Sequence, residues 1–314
     1  MKTYQQVMAE RIGFIRDDFT GGVEPYIVDN LDDSGQGSLR YGASLGGRFI
    51  TAAPGLAGDL LLPSEIPVAA DTLLALEAAV LLKHTGVLHH GLRITGPNVG
   101  IAYTRLDGQY TTPEIDAEGS DGIHIDATAT DLIWVHHNNI DDWADGGVDT
   151  ETDTDPGTID RIAITWNKFH ATRQLLNLWA TRVSVGFNRI ADCWTRAPKI
   201  TNGNAHSYNN LIKRWNHPSI HQTASGAGLL SDYDMFIVGT AAPLNSSKVN
   251  TFDGPIQTNN HKHFGATPIQ LQAGPSNVDP AFITAARAIS GYQTPITSND
   301  WSALRQLVEN ETGV

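Results

Sequence analysis

The chain has one cysteine, few charges and no long apolar run, and each shortage removes a class of protein. Cys193 alone cannot close an internal disulfide, so the fold is not stapled by one. No stretch reaches the ~18 apolar residues of a membrane span, and the apolar tract Thr72–Leu82 is too short and contains Glu77. The start, Met1–Phe14, is amphipathic and lacks an apolar signal core, which leaves another export route or a signal removed before this numbering begins. Charged residues are 18% of the chain and the net charge is -13, which argues against nucleic-acid binding. Ser-His-Asp elbows, glycine-rich phosphate loops and cysteine clusters are missing.

What is present suits one large globular unit. With 314 residues, 40% of them hydrophobic, the chain can bury a sizeable core. Abundant Gly, Asn, Asp and Thr favour a turn-rich β architecture. Residues 1–24 read as a helix-like start, Tyr4–Ile15, and a Gly21-Gly22 hinge; residues 25–314 read as the main domain. Strands and turns are expected over 25–90, with room for a short helix between Asp71 and Lys83.

Charge is segregated. Asp107–Asp160 holds fifteen acidic residues and no Lys or Arg, whereas Arg161–Arg214 holds nine basic residues and one acid, Asp192. Both blocks are threaded with apolar residues at strand spacing, so they should be folded and not solvated tails. Hard cations take oxygen ligands and a basic block attracts anions, so the two blocks together suggest a cation-bridged site for an acidic ligand.

A repeat runs through the same region. His137-Asn138-Asn139-Ile140, Trp166-Asn167-Lys168-Phe169, Phe187-Asn188-Arg189-Ile190 and Tyr208-Asn209-Asn210-Leu211 each place Asn after an aromatic or His and two residues before an apolar residue. The first Asn residues are spaced 29, 21 and 21 apart. That period suggests a solenoid, and Ile123-His124-Ile125, Ile162-Ala163-Ile164 and Val183-Ser184-Val185 show strand alternation. Coils of a parallel β-helix stack about 4.8 Å apart, so equivalent Asn residues would form a ladder at a corner whose left-handed geometry Asn tolerates. The longer first interval marks an insertion with Asp141, Asp142, Asp145, Asp149, Glu151, Asp153 and Asp155. Insertions on one face of a solenoid commonly bind ligand. Glu151, Asp153 and Asp155 alternate like part of a second Ca2+ loop, with Pro156 where such a turn wants Gly. The adjacent pairs His89-His90 and His136-His137 would point to opposite faces of a strand and serve structure and not one metal.

In chain order the sequence reads Asp121-Gly122, Ile133-Trp134-Val135-His136-His137, Asp145 to Asp149, Ile164-Thr165-Trp166-Asn167, Arg196-Ala197-Pro198-Lys199 and His206-Ser207-Tyr208-Asn209-Asn210. This series resembles the pectate lyases, polysaccharide lyases of the right-handed parallel β-helix fold. Val278–Gly291 resembles that family's C-terminal helix. The resemblance implies an all-β right-handed parallel β-helix with an asparagine ladder and short flanking helices. It also implies Ca2+-assisted β-elimination on pectate, polygalacturonate or a related uronic-acid polymer. By the same resemblance Asp121, Asp145 and Asp149 are the Ca2+ ligands and Arg196 is the base. The family's substrate-gripping Lys falls on Gln174, beside Arg173, and its second Arg falls on Thr201; Arg173, Arg182 or Lys199 is a candidate replacement. The Asp of the family's W-I-D-H is His136 here.

Two other readings share the fold. A hydrolase would use paired carboxylates such as Asp141, Asp142 and Asp145, and a phage tailspike or depolymerase would bind carbohydrate with or without cleaving it. The expected partner is an acidic polysaccharide, with neither nucleic acid nor membrane. The expected state is a monomer by family resemblance or a homotrimer if a spike. The expected location is extracellular or virion-associated.

Overall fold

The structure, a computed structural model, describes residues 2–77, 79–85, 89–109, 119–150, 159–215, 219–237, 248–252, 254–264, 278–291 and 297–313. Glu151, Asp153, Asp155 and Pro156, the second Ca2+ loop of the sequence reading, lie outside them.

The chain forms a parallel β-solenoid, as expected. A coil contributes three strands, for example Ile133–His136, Asn139–Asp141 and Gly146–Thr150. The next coil places Arg161–Thr165, Lys168–His170 and the first half of Gln174–Gly186 beside them in parallel register. The strand Gln174–Gly186 is long enough to pass from one sheet into the next: Asn177 pairs with Asp149, and Arg182 pairs with Arg161. That continuity joins two sheets into a sixteen-stranded unit, and a nine-stranded sheet closes the third side.

Alternation explains the stacking. Ile133, Ile162, Val183 and Ala205 occupy one inward column on successive coils, and each is fully buried. A buried aliphatic side chain contributes about 1.5–3 kcal/mol, and repeating it in every coil makes the core continuous. The tract Asp71–Lys83 obeys the same rule and is not helical. Leu73–Ala75 and Val80–His84 are strands, with Val80, Leu82 and His84 inward, and the left-handed Glu77 (φ 60°) lies between them. Period-two burial in two sheets outweighs helix propensity there.

The asparagine ladder is present with one change of register. Asn138, Asn167 and Asn188 each donate backbone and side-chain N–H to the next ladder oxygen at 2.9–3.1 Å, and the last step is to Asn210. Asn209 is therefore not the fourth rung. It takes the left-handed corner (φ 53°) that His137, Trp166 and Phe187 take in earlier coils, so the last interval is one residue longer. Asn210 donates in turn to Asp234 Oδ1 at 2.8 and 3.0 Å, which ends the ladder on a buried carboxylate. The aromatic residues before the ladder stack as well, with Trp166 and Phe187 4.4 Å apart and parallel.

Short helices flank the solenoid. The expected helix Tyr4–Ile15 is an α-helix only over Tyr4–Met8, followed by a 3-10 turn over Gly13–Ile15. Gly13 breaks it: its φ is +76° and a Cβ would lie 2.6 Å from Ser184 Oγ, so close docking on the solenoid takes precedence over helix continuation. Helix Pro280–Ile289 lies in the segment likened to a C-terminal helix. Helix Ser298–Glu311 packs Trp301, Leu304 and Val308 near Phe187 and Tyr208. Among the described residues no helix is long and apolar enough to cross a membrane.

Candidate functional site

One outward column runs across the sheet that contains Gly146–Thr150. Register places Arg93, His124, Asp149, Asn177, Lys199 and Gln222 side by side on successive coils. Their strand neighbours Ile123, Val148, Leu176, Leu178 and Ile200 are buried, so the core face anchors the polar column.

Asp121 lies at the edge of this column and is buried. Its Oδ1 accepts the Gly146 N–H at 2.8 Å, and its Oδ2 lies 3.0 Å from His124 Nδ1 and 3.1 Å from His90 Nδ1. Burial opposes ionisation of Asp121, but the two imidazoles outweigh it and hold the carboxyl below its ordinary pKa. Gly146 has to be glycine for this contact, because a Cβ would stand 2.3 Å from Asp121 Oδ1.

Asp145 and Asp149 are less well neutralised. Asp145 Oδ2 accepts the Gly119 N–H at 3.2 Å, and Asp149 Oδ1 accepts Asn177 Nδ2 at 3.0 Å. Burial and the Asp121 charge push Asp145 above the usual carboxylate range, against Gly119, Arg196 and Arg173. Burial, Asp121 and Asp145 push Asp149 well above it, against Asn177 and His124. Asp121 raises the cost of ionising Asp145 and Asp149, and the three carboxylates form an oxygen-donor set that suits a hard cation. The donor chemistry therefore fits Ca2+, with Asp145 and Asp149 offering the oxygens that no hydrogen bond occupies among the described residues.

The basic residues meet them here. Arg196 stands at a left-handed position (φ 62°), half-buried, and its guanidinium has no hydrogen bond or ion pair among the described residues. Burial lowers its pKa; the Asp149 and Asp145 charges act in the other direction, and Arg173 adds to the lowering. Lys199 is lowered by burial and by Arg196. Gln174 pairs in register with Gly146 and bridges to Thr195. Thr201 sits at an irregularity in the pairing of Gln174–Gly186 with Lys199–Tyr208, and its hydroxyl donates to Asn177 Oδ1 at 3.2 Å. Thr201 thus reaches Asp149 through Asn177.

Three site residues escaped the sequence reading: His90, His124 and Asn177. His124 was visible as the outward member of Ile123-His124-Ile125, three residues after Asp121; only the approach of His90 to the same carboxylate depends on coil stacking. One histidine pair also needs correction. His136 and His137 do not point to opposite faces, because the left-handed His137 (φ 53°) ends the strand alternation, and both rings approach Glu10. At position 136, where the resemblance leads one to expect Asp, the His136 Nε2 lies 3.0 Å from the Glu10 carboxylate.

Asp141 and Asp142 are not gathered with Asp145. Asp141 ends a strand of the nine-stranded sheet, and both line a depression of about 400 Å³ there with Asp107, Lys168 and His170.

No protein-family description and no curated protein sequence matches this chain. Solved structures do match. Jun a 1, the major allergen from cedar pollen, has a TM-score of 0.73 at 17% identity over 98% of this chain and 94% of its own. Pectate lyase II from Xanthomonas campestris pv. campestris has a TM-score of 0.58 at 16% identity over 97% and 98%. Pectate lyase Bsp165PelA from Bacillus sp. N165, in complex with trigalacturonate, has a TM-score of 0.58 at 16% identity over 96% and 98%. The fold is the one these pectate lyases have.

Proposed function

We propose that this chain is a polysaccharide lyase that cleaves a uronic-acid polymer by β-elimination. The observation that carries the reading is Arg196: half-buried, without a hydrogen-bond partner among the described residues, and set beside Asp145 and Asp149 on the face that also presents Lys199.

The reaction removes the proton at C5 of a uronate, forms a C4–C5 double bond from that electron pair, and expels the glycosidic oxygen at C4, which then takes a proton. A Ca2+ held by Asp121, Asp145 and Asp149 would neutralise the substrate carboxylate and so acidify the C5 proton. The residues of this chain supply the rest. Arg196 takes the proton, a role ordinarily closed to a guanidinium and made accessible here by burial and by Arg173 and Lys199 nearby. Whatever neutralises Asp145 and Asp149 removes the two largest of the three carboxylate charges, with Asp121 the third, that hold the Arg196 pKa up. Lys199 and Arg173 would bind neighbouring uronate groups, in place of the cations missing at Gln174 and Thr201.

An acidic polymer of this kind places the enzyme outside the cell or on a virion. Ultraviolet absorbance of unsaturated uronate, followed on a panel of uronic polymers with Ca2+ and then with chelator, tests the reading. A calcium-dependent rise supports it and identifies the substrate class. No rise on any polymer, with saccharide binding retained, would move the chain to the binding or hydrolytic readings.

A further inference from the structure

Two groups of three ligand-type side chains bring their donor atoms within 4.8 Å of one another among the described residues: Glu10, His136 and His137, and His90, Asp121 and His124. The first is already satisfied. Glu10 binds Lys2 and Tyr103, His136 lies between Thr165 Oγ1 and Glu10, and His137 Nδ1 meets the Gly313 carbonyl.

The second differs in one respect. The Asp121 backbone N–H points at His90 Nδ1 at 3.3 Å, a contact in which that nitrogen accepts. Asp121 Oδ2 nevertheless lies only 3.1 Å from the same nitrogen. One nitrogen cannot accept from the N–H and donate to the carboxylate at once, so one of the two contacts stays unsatisfied unless a metal cation sits between nitrogen and oxygen. His124 Nδ1 is 3.0 Å from the same oxygen, and the His90 and His124 rings stack with centroids 3.9 Å apart. Metal bonds of about 2.0–2.2 Å to imidazole and carboxylate separate neighbouring donors by about 2.8–3.6 Å for bond angles from about 90° to tetrahedral, and the two Nδ1–Oδ2 distances fall in the part of that range near about 90°. The Gly146 N–H fixes Asp121 Oδ1, the type of outer contact that orients a metal-bound carboxylate. Arg93, next to His124 in register, is engaged by Asp126 at 2.7 Å and Glu65 at 3.0 Å.

We propose that His90, Asp121 and His124 form a second cation site, selective for a borderline divalent ion of the zinc class over Ca2+. Imidazole nitrogen favours such ions, whereas Ca2+ takes oxygen. The proposal does not rest on the lyase reading. It does couple to it, because Asp121 is shared and its charge bears on both Asp145 and Asp149.

Chelator-treated full-length chain titrated with Co2+, read by its visible absorption and then displaced with Zn2+, is the test. One saturable Co2+ per chain is expected, displaced by Zn2+ but not by Ca2+, and weakened at least about 10-fold in His90→Gln and in His124→Gln. His136→Gln should leave it unchanged. Circular dichroism checks each variant, and His90→Gln, at the rim, provides the test if His124→Gln fails to fold. Absence of a saturable band, equal binding in both site variants, or loss of binding in His136→Gln overturns the proposal. Loss of this site with a calcium-dependent lyase product retained would sink it alone and leave the lyase reading in place.

Discussion

Asp131 and Asp145 come from the same acidic stretch, yet their surroundings differ. Asp131 receives the Arg161 Nε at 2.8 Å, and Asp160 likewise receives the Arg182 Nε at 2.8 Å from the following coil. Burial acts against Asp131, but Arg161 holds it below its ordinary pKa. Asp145 and Asp149 face Arg196 and Lys199 without a hydrogen bond to either, and both are pushed up. The two oppositely charged blocks therefore do two jobs. At one corner they cancel across coils and stabilise the stack; in the groove they stay apart, and charge without a partner is what a ligand or cation can use.

Breaking the groove side should have the largest effect. Arg196→Ala is expected to reduce turnover at least about 1000-fold, within the range for loss of a general base, with the thermal midpoint unchanged; retention of most activity would remove Arg196 from the mechanism. Breaking the paired side should cost stability and spare chemistry. Arg161→Ala leaves Asp131 without its main partner and should cost about 1–3 kcal/mol in urea unfolding. Asp131 has a depressed folded pKa, so its contribution is present above the unfolded carboxylate value of about 3.9 and is lost as pH falls through the lower folded value. An unchanged stability between wild type and variant at neutral pH would remove the pair from the account.

The opposite sign is expected at Asp149. Its folded pKa is raised, so the fold disfavours the ionised form; the penalty is absent below the unfolded pKa and grows as pH rises through the folded value. Asp149→Asn should therefore raise the thermal midpoint of the metal-free protein at neutral pH while weakening Ca2+ binding by calorimetry. A lower midpoint together with an unchanged calcium titration would reject the assignment. Gly146→Ala should displace Asp121 at a cost of about 1–2 kcal/mol, seen as a lower urea midpoint and weaker calcium binding. The smallest effect concerns Thr201. Thr201→Arg adds a cation to the groove and should improve turnover on polygalacturonate by a few fold, about 1 kcal/mol or less; no gain would point to another polymer.

Much of this was legible in the residues. The repeat, the strand alternation and the order of motifs lead to the solenoid, and the repeated Asn predicts the ladder. The ladder missed its fourth rung because Tyr208-Asn209-Asn210 offers two amides, and only the corner geometry selects Asn210. The helix expected in Asp71–Lys83 failed because burial within a sheet is a property of the neighbouring coils and not of the tract.

By itself the sequence determined periodicity, the inward apolar columns and which residue types each coil carries, since these depend on local spacing and on the two-residue repeat of a strand. Tertiary structure alone decided which charges cancel and which stay open. Neighbours across the solenoid come from different coils, so Asp131 meets Arg161 and Asp121 meets His90 only through stacking register, whereas His124 is three residues from Asp121 on the same coil. A shift of one residue in that register reverses the faces of a strand, and no local pattern in the chain states it.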